Sequence, residues 1–216
     1  MQIVSVDIEN PLHSCKGFCY DIGNVWSKWI SVPKFAGLRE RRGNNMALLE
    51  CFYPDLYLDS TYEIDFEALY RKGYRGIIFD IDNTLVMHGA PADDRSIALF
   101  ERLRRIGFDS MLLSNNKEPR VKMFSDAVNS RYIYKAGKPS PKNYRKAMEI
   151  MKTTEETTLF VGDQLFTDVW GAKKAGILSI LVKPINPREE IQIVLKRRLE
   201  WIVLFFYRRD RKRSAQ

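Results

Sequence analysis

The chain has 216 residues, of which 45% are hydrophobic and 29% are charged. This is typical of a soluble globular protein with room for one α/β domain and extensions, and it excludes a largely disordered chain. Three cysteines are too few, and odd in number, for a disulfide framework, so we expect a reducing, cytoplasmic location. The net charge of +8 indicates an anionic partner.

The first 45 residues show no clear hydrophobic period. They also lack the basic region, apolar run and cleavage site of a signal peptide. We predict a poorly ordered N-terminal extension over 1–45, or an upstream start, with the folded domain covering 46–187.

The first predicted elements are a helix and a buried strand. Asp65 is a good N-cap and Gly73 a good stop for the helix. An apolar run at 76–80 then predicts a strand that is buried on both faces, as in a parallel sheet.

The rest of the domain alternates helices and strands. We predict a helix from 92–94 to Gly107, a strand at 110–114, a helix at 119–129, a strand at 132–136, a helix ending near 152, a strand at 157–161, a helix at 167–175 and a strand at 177–182. Such alternation indicates right-handed βαβ units, and hence a Rossmann-like, three-layer α/β/α fold with a mainly parallel five-stranded sheet.

Polar residues stand at the ends of four predicted strands. They are Asp80 and Asp82, Ser114 and Asn115, Lys138, and Asp163 with Asp168. Each has an ordinary interpretation alone: Ser114-Asn115 as a turn, Lys138 as a solvated lysine, Asp168 as a first-turn helix residue. In one parallel sheet, however, all of them project to the same edge, where ligands bind.

The chemistry of this set fits phosphoryl transfer. A carboxylate nucleophile can form an aspartyl-phosphate, which divides a hard hydrolysis into two steps. Mg²⁺ prefers carboxylate, carbonyl and phosphate oxygens. A hydroxyl, a backbone N–H and a lysine can neutralise the phosphoryl oxygens.

At these residues the chain resembles the haloacid dehalogenase-like hydrolases. The four motifs of that superfamily occur in order, as FDIDNTL at 79–85, LSNN at 113–116, KP at 138–139 and GDQLFTD at 162–168. The resemblance covers about residues 50 to 185.

The resemblance implies a role for each motif residue. Asp80 is expected to be the nucleophile and a Mg²⁺ ligand. Asp82 is expected to be the general acid and base, with its backbone carbonyl on the metal. The resemblance further implies that Ser114 and Asn115 hold the phosphoryl group, that Lys138 pairs with it and with Asp80, and that Asp163 ligates Mg²⁺ with support from Asp168.

Members of the superfamily often carry a cap domain after the first motif or between the second and third. Here each interval has room for one helix and one strand, so we predict no cap. The pattern is similar to the capless subfamily IIIA, which contains phosphatidylglycerophosphate phosphatases. That resemblance implies a bulky or membrane-embedded phosphoester as substrate.

The C-terminal segment, 188–216, is predicted to be a basic amphipathic helix. It contains Lys196, Arg197, Arg198, Arg208, Arg209, Arg211, Lys212 and Arg213 against Glu200 and Asp210. With its aromatic residues, this composition suits a helix lying at an anionic membrane surface through 191–213, on the inner face of the membrane. A helix packed on the sheet with a solvated basic end is the alternative, and the same charges also suit contact with nucleic acid, which we do not favour.

We therefore predict a Mg²⁺-dependent phosphatase that acts on phosphatidylglycerophosphate at the membrane surface. One alternative is a phosphomonoesterase for a small metabolite or a nucleic-acid end. Another is a phosphate-binding protein without turnover. The sequence does not predict the oligomeric state.

Overall fold

The computed structural model of the chain describes residues 47–186 and 191–214, so the predicted N-terminal extension, 1–45, lies outside the described residues. The helices are α1 (Ala47–Glu50), α2 (Phe66–Arg71), α3 (Asp94–Ile106), α4 (Glu118–Val128), α5 (Lys142–Met151), α6 (Trp170–Lys174) and α7 (Ile191–Ser214). The strands are β1 (Leu56–Leu58), β2 (Gly76–Phe79), β3 (Asp109–Leu113), β4 (Arg131–Ile133), β5 (Thr158–Gly162) and β6 (Leu178–Val182).

Within the described residues the strands form one six-stranded sheet in the order β1-β6-β5-β2-β3-β4. Every neighbouring pair is parallel. The predicted α/β fold with a parallel sheet is therefore confirmed, and the sheet has one strand more than the predicted five. Because β2 and β5 lie at its centre, the segments that follow them meet in the middle of one edge.

The additional strand is β1, at the edge beside β6. It has three residues between Asp55 and Asp59, which is too short to show an alternating pattern in the sequence. The residue just before β1 holds it against β6, since the Asp55 carboxylate accepts a hydrogen bond from the Ser179 backbone N–H at 2.8 Å.

Two apolar layers cover the two faces of the sheet. Ile77 and Phe79 of β2 face one layer, and Ile78 between them faces the other, as the alternation of a strand requires. The first layer includes side chains from α2, α3 and α4, and the second includes side chains from α5 and α6. This arrangement explains why the buried strands are apolar almost throughout.

Several predicted boundaries move by a few residues. The strand predicted at 132–136 ends at Ile133, because the chain leaves the sheet there and Lys135 has a positive φ of 43°. The helix predicted at 167–175 is a π-helical turn, Leu165–Val169, followed by α6. Such turns often occur at functional sites.

The two intervals that carry caps in other members hold none here. Between Asp82 and Ser114 the chain forms α3 and β3, and between Ser114 and Lys138 it forms α4 and β4. The carboxyl edge of the sheet is therefore not covered by an inserted domain at either point.

Helix α7 packs on the domain through one stripe of its surface. Val203 and Tyr207 are buried, and Val203 joins a third apolar cluster with Leu165, Val169 and Leu181. The opposite side is exposed and apolar, with Leu199, Trp201, Ile202 and Phe205. Among the described helices, none combines the length and apolar character that a bilayer crossing requires.

Candidate active site

The site lies at the carboxyl edge of the two central strands. The Asp80 backbone N–H donates to the Val161 carbonyl at 2.9 Å, which continues the ladder between β2 and β5 by one residue. This bond holds Asp80 beside the end of β5, from which Asp163 follows directly. Two distant segments are thus brought together by ordinary strand pairing.

Three carboxylates share one buried volume at this edge. Asp80, Asp163 and Asp168 are all buried, and each offers an oxygen within 4.8 Å of the others. Asp168 belongs to the π-helical turn, where its Oδ2 accepts the Gln164 backbone N–H at 3.1 Å. The turn therefore orients Asp168 toward the end of β5.

Gly162, the last residue of β5, makes room for this arrangement. A Cβ atom built there would overlap the Asp168 carboxylate and would also lie 2.7 Å from the Phe160 ring. Only glycine lets Asp168 approach the strand this closely.

Lys138 places one positive charge among the carboxylates. Its Nζ lies 2.7 Å from Asp80 Oδ1 and 2.7 Å from Asp168 Oδ1. The Asn115 side chain fixes the lysine backbone, accepting the Lys138 N–H at 2.8 Å and donating to the Lys138 carbonyl at 3.3 Å. Asn115 thus determines where the ammonium group can reach.

The charges in this cluster shift each other's protonation. Burial raises the pKa of Asp80, since it disfavours the charged carboxylate; Lys138 opposes the shift and Asp168 adds to it. Burial alone would lower the pKa of Lys138, but Asp168 and Asp80 outweigh it and raise that pKa. The lysine is therefore protonated at neutral pH, and its single ammonium group faces three carboxylates.

This excess fits a divalent cation. Asp168 Oδ1 is buried, and its close contact is with the Lys138 ammonium group at 2.7 Å. The same ammonium group also contacts Asp80, so one cation faces three buried carboxylates. Buried negative charge that is left uncompensated is costly unless a further cation meets it. Three clustered carboxylate oxygens are also the ligand type that Mg²⁺ and similar hard cations prefer.

The Asp82 carboxylate has its own set of hydrogen-bond partners, which differs from that of this cluster. Its Oδ1 accepts the Gly89 backbone N–H at 2.7 Å and the Arg120 Nη2–H at 3.0 Å. Its Oδ2 accepts the Asn116 Nδ2–H at 2.5 Å. Of the residues predicted for the metal, Asp82 is therefore the one whose side chain is engaged elsewhere.

Ser114 is buried at the end of β3, beside the loop that carries Lys138. Its backbone N–H donates to the Ile133 carbonyl at 3.0 Å, and its carbonyl accepts the Ala136 N–H at 3.0 Å. These bonds tie the end of β3 to the segment after β4. The predicted site residues thus converge, with Asp82 on a separate network.

Sequence reasoning did not identify four further residues at this edge. Thr84 donates to Asp163 Oδ1 at 3.4 Å, and Asn116 and Arg120 hold Asp82. Glu200 of α7 is buried and accepts the Leu165 backbone N–H at 2.8 Å, at the start of the π-helical turn. Thr84 and Asn116 lie inside the first and second motifs, and Arg120 carries a weaker signal, because a cation in the first turn of a helix opposes the macrodipole.

Comparison with known proteins agrees with this geometry. A family model described as HAD-hydrolase-like matches residues 135–188. The chain is similar to a probable phosphatase, YqeG, of Bacillus subtilis, with 37% identity over 73% of this chain and 92% of that protein.

Two more distant relatives have names that state a substrate. Phosphatidylglycerophosphate phosphatase 1 of Arabidopsis thaliana is 30% identical over 70% of this chain and 47% of that protein. Glyceraldehyde 3-phosphate phosphatase of Pyrococcus furiosus is 26% identical over 51% of this chain and 41% of that protein. The chain spans less than half the length of these two relatives.

Proposed function

The chain belongs to the haloacid dehalogenase-like hydrolases and is a phosphatase, and from this premise we propose a Mg²⁺-dependent reaction through an aspartyl-phosphate on Asp80. One observation carries the proposal. A buried carboxylate at the end of the central strand contacts a buried ammonium group and has two further buried carboxylates within 4.8 Å.

Asp80 is the proposed nucleophile. Its oxygen forms a bond to phosphorus while the bond from phosphorus to the leaving oxygen breaks. Lys138 favours the ionised form of Asp80 and so opposes the effect of burial on its pKa. The ammonium group, 2.7 Å from Asp80 Oδ1, is proposed to pair with a phosphoryl oxygen as well. When bound by Asp80, Asp163, Asp168 and the Asp82 carbonyl, Mg²⁺ would neutralise charge on the phosphoryl oxygens.

Asp82 is the proposed general acid and base. In the first step its carboxyl proton passes to the leaving oxygen, which departs as an alcohol. In the second step the carboxylate takes a proton from the water that attacks phosphorus, and the bond to Asp80 breaks. The Ser114 hydroxyl and the Asn115 backbone N–H would hold the phosphoryl oxygens during both steps.

Turnover of a simple substrate tests this proposal. The purified full chain should release p-nitrophenol and phosphate from p-nitrophenyl phosphate when Mg²⁺ is present, and a chelator should stop the release. Binding of phosphate without any release would contradict the enzymatic mechanism and favour a phosphate-binding protein.

The substrate we propose is phosphatidylglycerophosphate. Two features support it: the name of the plant relative, and a sheet edge that no inserted domain covers in the described chain. An uncovered edge admits a phosphate group that remains attached to a lipid surface. The archaeal relative's name supports the alternative of a small phosphorylated metabolite.

An anionic membrane surface is the proposed partner of α7. Trp201 is 65% exposed and Phe205 is 53% exposed, and their rings stack with centroids 6.0 Å apart. Exposed arginines at Arg198, Arg208 and Arg213 lie on the same helix. Apolar side chains flanked by cations match the interface of an anionic bilayer. The opposite side of α7 packs on the domain.

A further inference from the structure

Arg120 occupies a position that is unfavourable without a specific partner. It is the third residue of α4, where the helix dipole repels a positive charge. Its side chain is only 15% exposed, and Nε and Nη1 are buried with no hydrogen-bond partner among the described residues. Unpaired donors on a buried cation cost free energy.

The compensating contact is with Asp82. Arg120 Nη2 donates to Asp82 Oδ1 at 3.0 Å, and the Asp82 side chain is 9% exposed. The guanidinium carbon lies 5.7 Å from the centre of the buried Phe124 ring, and this contact restricts the position of the guanidinium group. The arginine is therefore held in one place, against one oxygen of one carboxylate.

The donors are unequally divided between the two oxygens of Asp82. Oδ1 receives a charged donor from Arg120 and the Gly89 backbone N–H, whereas Oδ2 receives only the neutral Asn116 amide. Nδ1 of the exposed His88 ring also lies 4.0 Å from Oδ1. A carboxylate has about four acceptor positions, and the one that remains is on Oδ2.

We infer that Arg120 is a positioning residue for the general acid. By occupying Oδ1 it leaves Oδ2 as the oxygen that delivers the proton to the leaving group and later takes one from water. The O–H bond at Oδ2 breaks as the leaving oxygen gains the proton, and it forms again as the attacking water loses one. This inference rests on the proposed role of Asp82.

Leaving groups of different basicity test the inference. An alkoxide needs a proton to depart, whereas p-nitrophenolate departs without one. The ratio kcat/KM is the quantity to compare, because it reports only on the steps up to departure of the leaving group. In Arg120→Met, kcat/KM for glycerol 3-phosphate should fall by at least about 10-fold, less than the 10²–10⁴-fold of a complete loss of general acid catalysis. kcat/KM for p-nitrophenyl phosphate should fall far less.

Three variants complete the experiment. In Asp82→Asn, hydrolysis of glycerol 3-phosphate should again fall more than hydrolysis of p-nitrophenyl phosphate, and the fall should be larger than in Arg120→Met. Arg120→Lys keeps a cation near Oδ1 and should recover part of the glycerol 3-phosphate activity. Arg102→Met removes another arginine ion pair, with Glu67 and away from the site, and should leave both activities unchanged.

The inference is overturned if Arg120→Met lowers kcat/KM for both substrates by the same factor, because a structural role alone produces that result. If Arg120→Met does not fold, Arg120→Lys decides by the same ratio of the two substrates. Failure of the wild-type chain to hydrolyse either substrate would instead contradict the proposed function, so the two failures are distinguishable.

Discussion

Three carboxylates and one ammonium group share a buried volume at the end of β2, and their charges do not balance. Hydrogen bonds relieve part of the imbalance, through Gln164 N–H to Asp168 and through the Thr84 hydroxyl to Asp163. A bound divalent cation would relieve much of the remainder. The site is thus arranged so that metal binding and folding stabilise each other.

Mg²⁺ should raise the melting temperature of the protein. A ligand at about 100 times its Kd stabilises the folded state by about 2.7 kcal/mol. Asp163→Ala removes one of the three candidate carboxylate ligands, so it should reduce this shift and raise the Mg²⁺ concentration that supports half-maximal activity. Thermal unfolding with and without Mg²⁺ measures the first effect directly. An unchanged shift in Asp163→Ala would show that the metal is held elsewhere.

Gly162→Ala should impair the metal site without removing any charge. The added Cβ atom would displace the Asp168 carboxylate from the end of β5. We expect weaker Mg²⁺ binding and a free energy of unfolding that is lower by about 1–3 kcal/mol, as is usual for overpacking a tight core. Calorimetric titration with Mg²⁺ and chemical denaturation are the measurements. A variant with normal Mg²⁺ affinity would contradict the placement of Asp168.

At the next scale, α7 connects the surface of the molecule to the π-helical turn. Glu200 accepts the Leu165 N–H at the start of the turn that contains Asp168. Val203 and Tyr207 bury apolar surface on the same side of the helix. Deleting α7 would therefore expose part of the core and is not a clean test of membrane binding.

Glu200→Ala should destabilise the turn that carries Asp168. A buried N–H that loses its acceptor costs about 1–3 kcal/mol. We expect a lower melting temperature and a higher Mg²⁺ requirement. Glu200→Gln keeps an acceptor oxygen and should retain most of both properties. Equal effects of the two substitutions would show that charge, and not the hydrogen bond, is what Glu200 contributes.

The exposed side of α7 can be tested without disturbing its packed side. Trp201→Ser combined with Phe205→Ser removes two side chains, each worth roughly 1.5–3 kcal/mol if fully buried in an interface. Flotation with anionic vesicles should show weaker binding, while p-nitrophenyl phosphate hydrolysis stays constant. Binding equal to that of the wild-type chain would exclude this surface as the membrane contact.

The sequence predicts the elements that carry regular patterns and not those that depend on distant partners. The run at β2 and the capped helix α3 were found because burial and capping are local signals. β1 was missed because three residues carry no period. Glu200 was missed because its partner lies 35 residues earlier in the chain, and the two residues come together only when the chain folds.

The same distinction between local signals and distant partners applies to the candidate site. Residues at strand ends were predicted because parallel strands must share an edge. The separation of the Asp82 network from the carboxylate cluster was not predicted, since it depends on Arg120 being turned toward Asp82 by α4. For the C-terminal segment, the structure contains the packed helix of the alternative interpretation, and its contact with a membrane stays a prediction.

Three features of the molecule occur together: a sheet edge that no inserted domain covers among the described residues, a helix with an exposed apolar side, and a net charge of +8. A cationic protein concentrates at anionic surfaces, and this attraction weakens as salt is added. Apolar insertion does not weaken in the same way. The proposed substrate class, a lipid phosphomonoester in an anionic bilayer, would make use of all three features.

The most direct test is release of phosphate from phosphatidylglycerophosphate in anionic vesicles, compared with glycerol 3-phosphate in solution, by the full chain and by Asp80→Asn. We predict Mg²⁺-dependent release from the lipid with the higher kcat/KM, and no release by Asp80→Asn, because an amide cannot attack phosphorus. Release by Asp80→Asn at the wild-type rate would contradict the covalent mechanism. A higher kcat/KM for the substrate in solution would contradict the assignment of a lipid substrate.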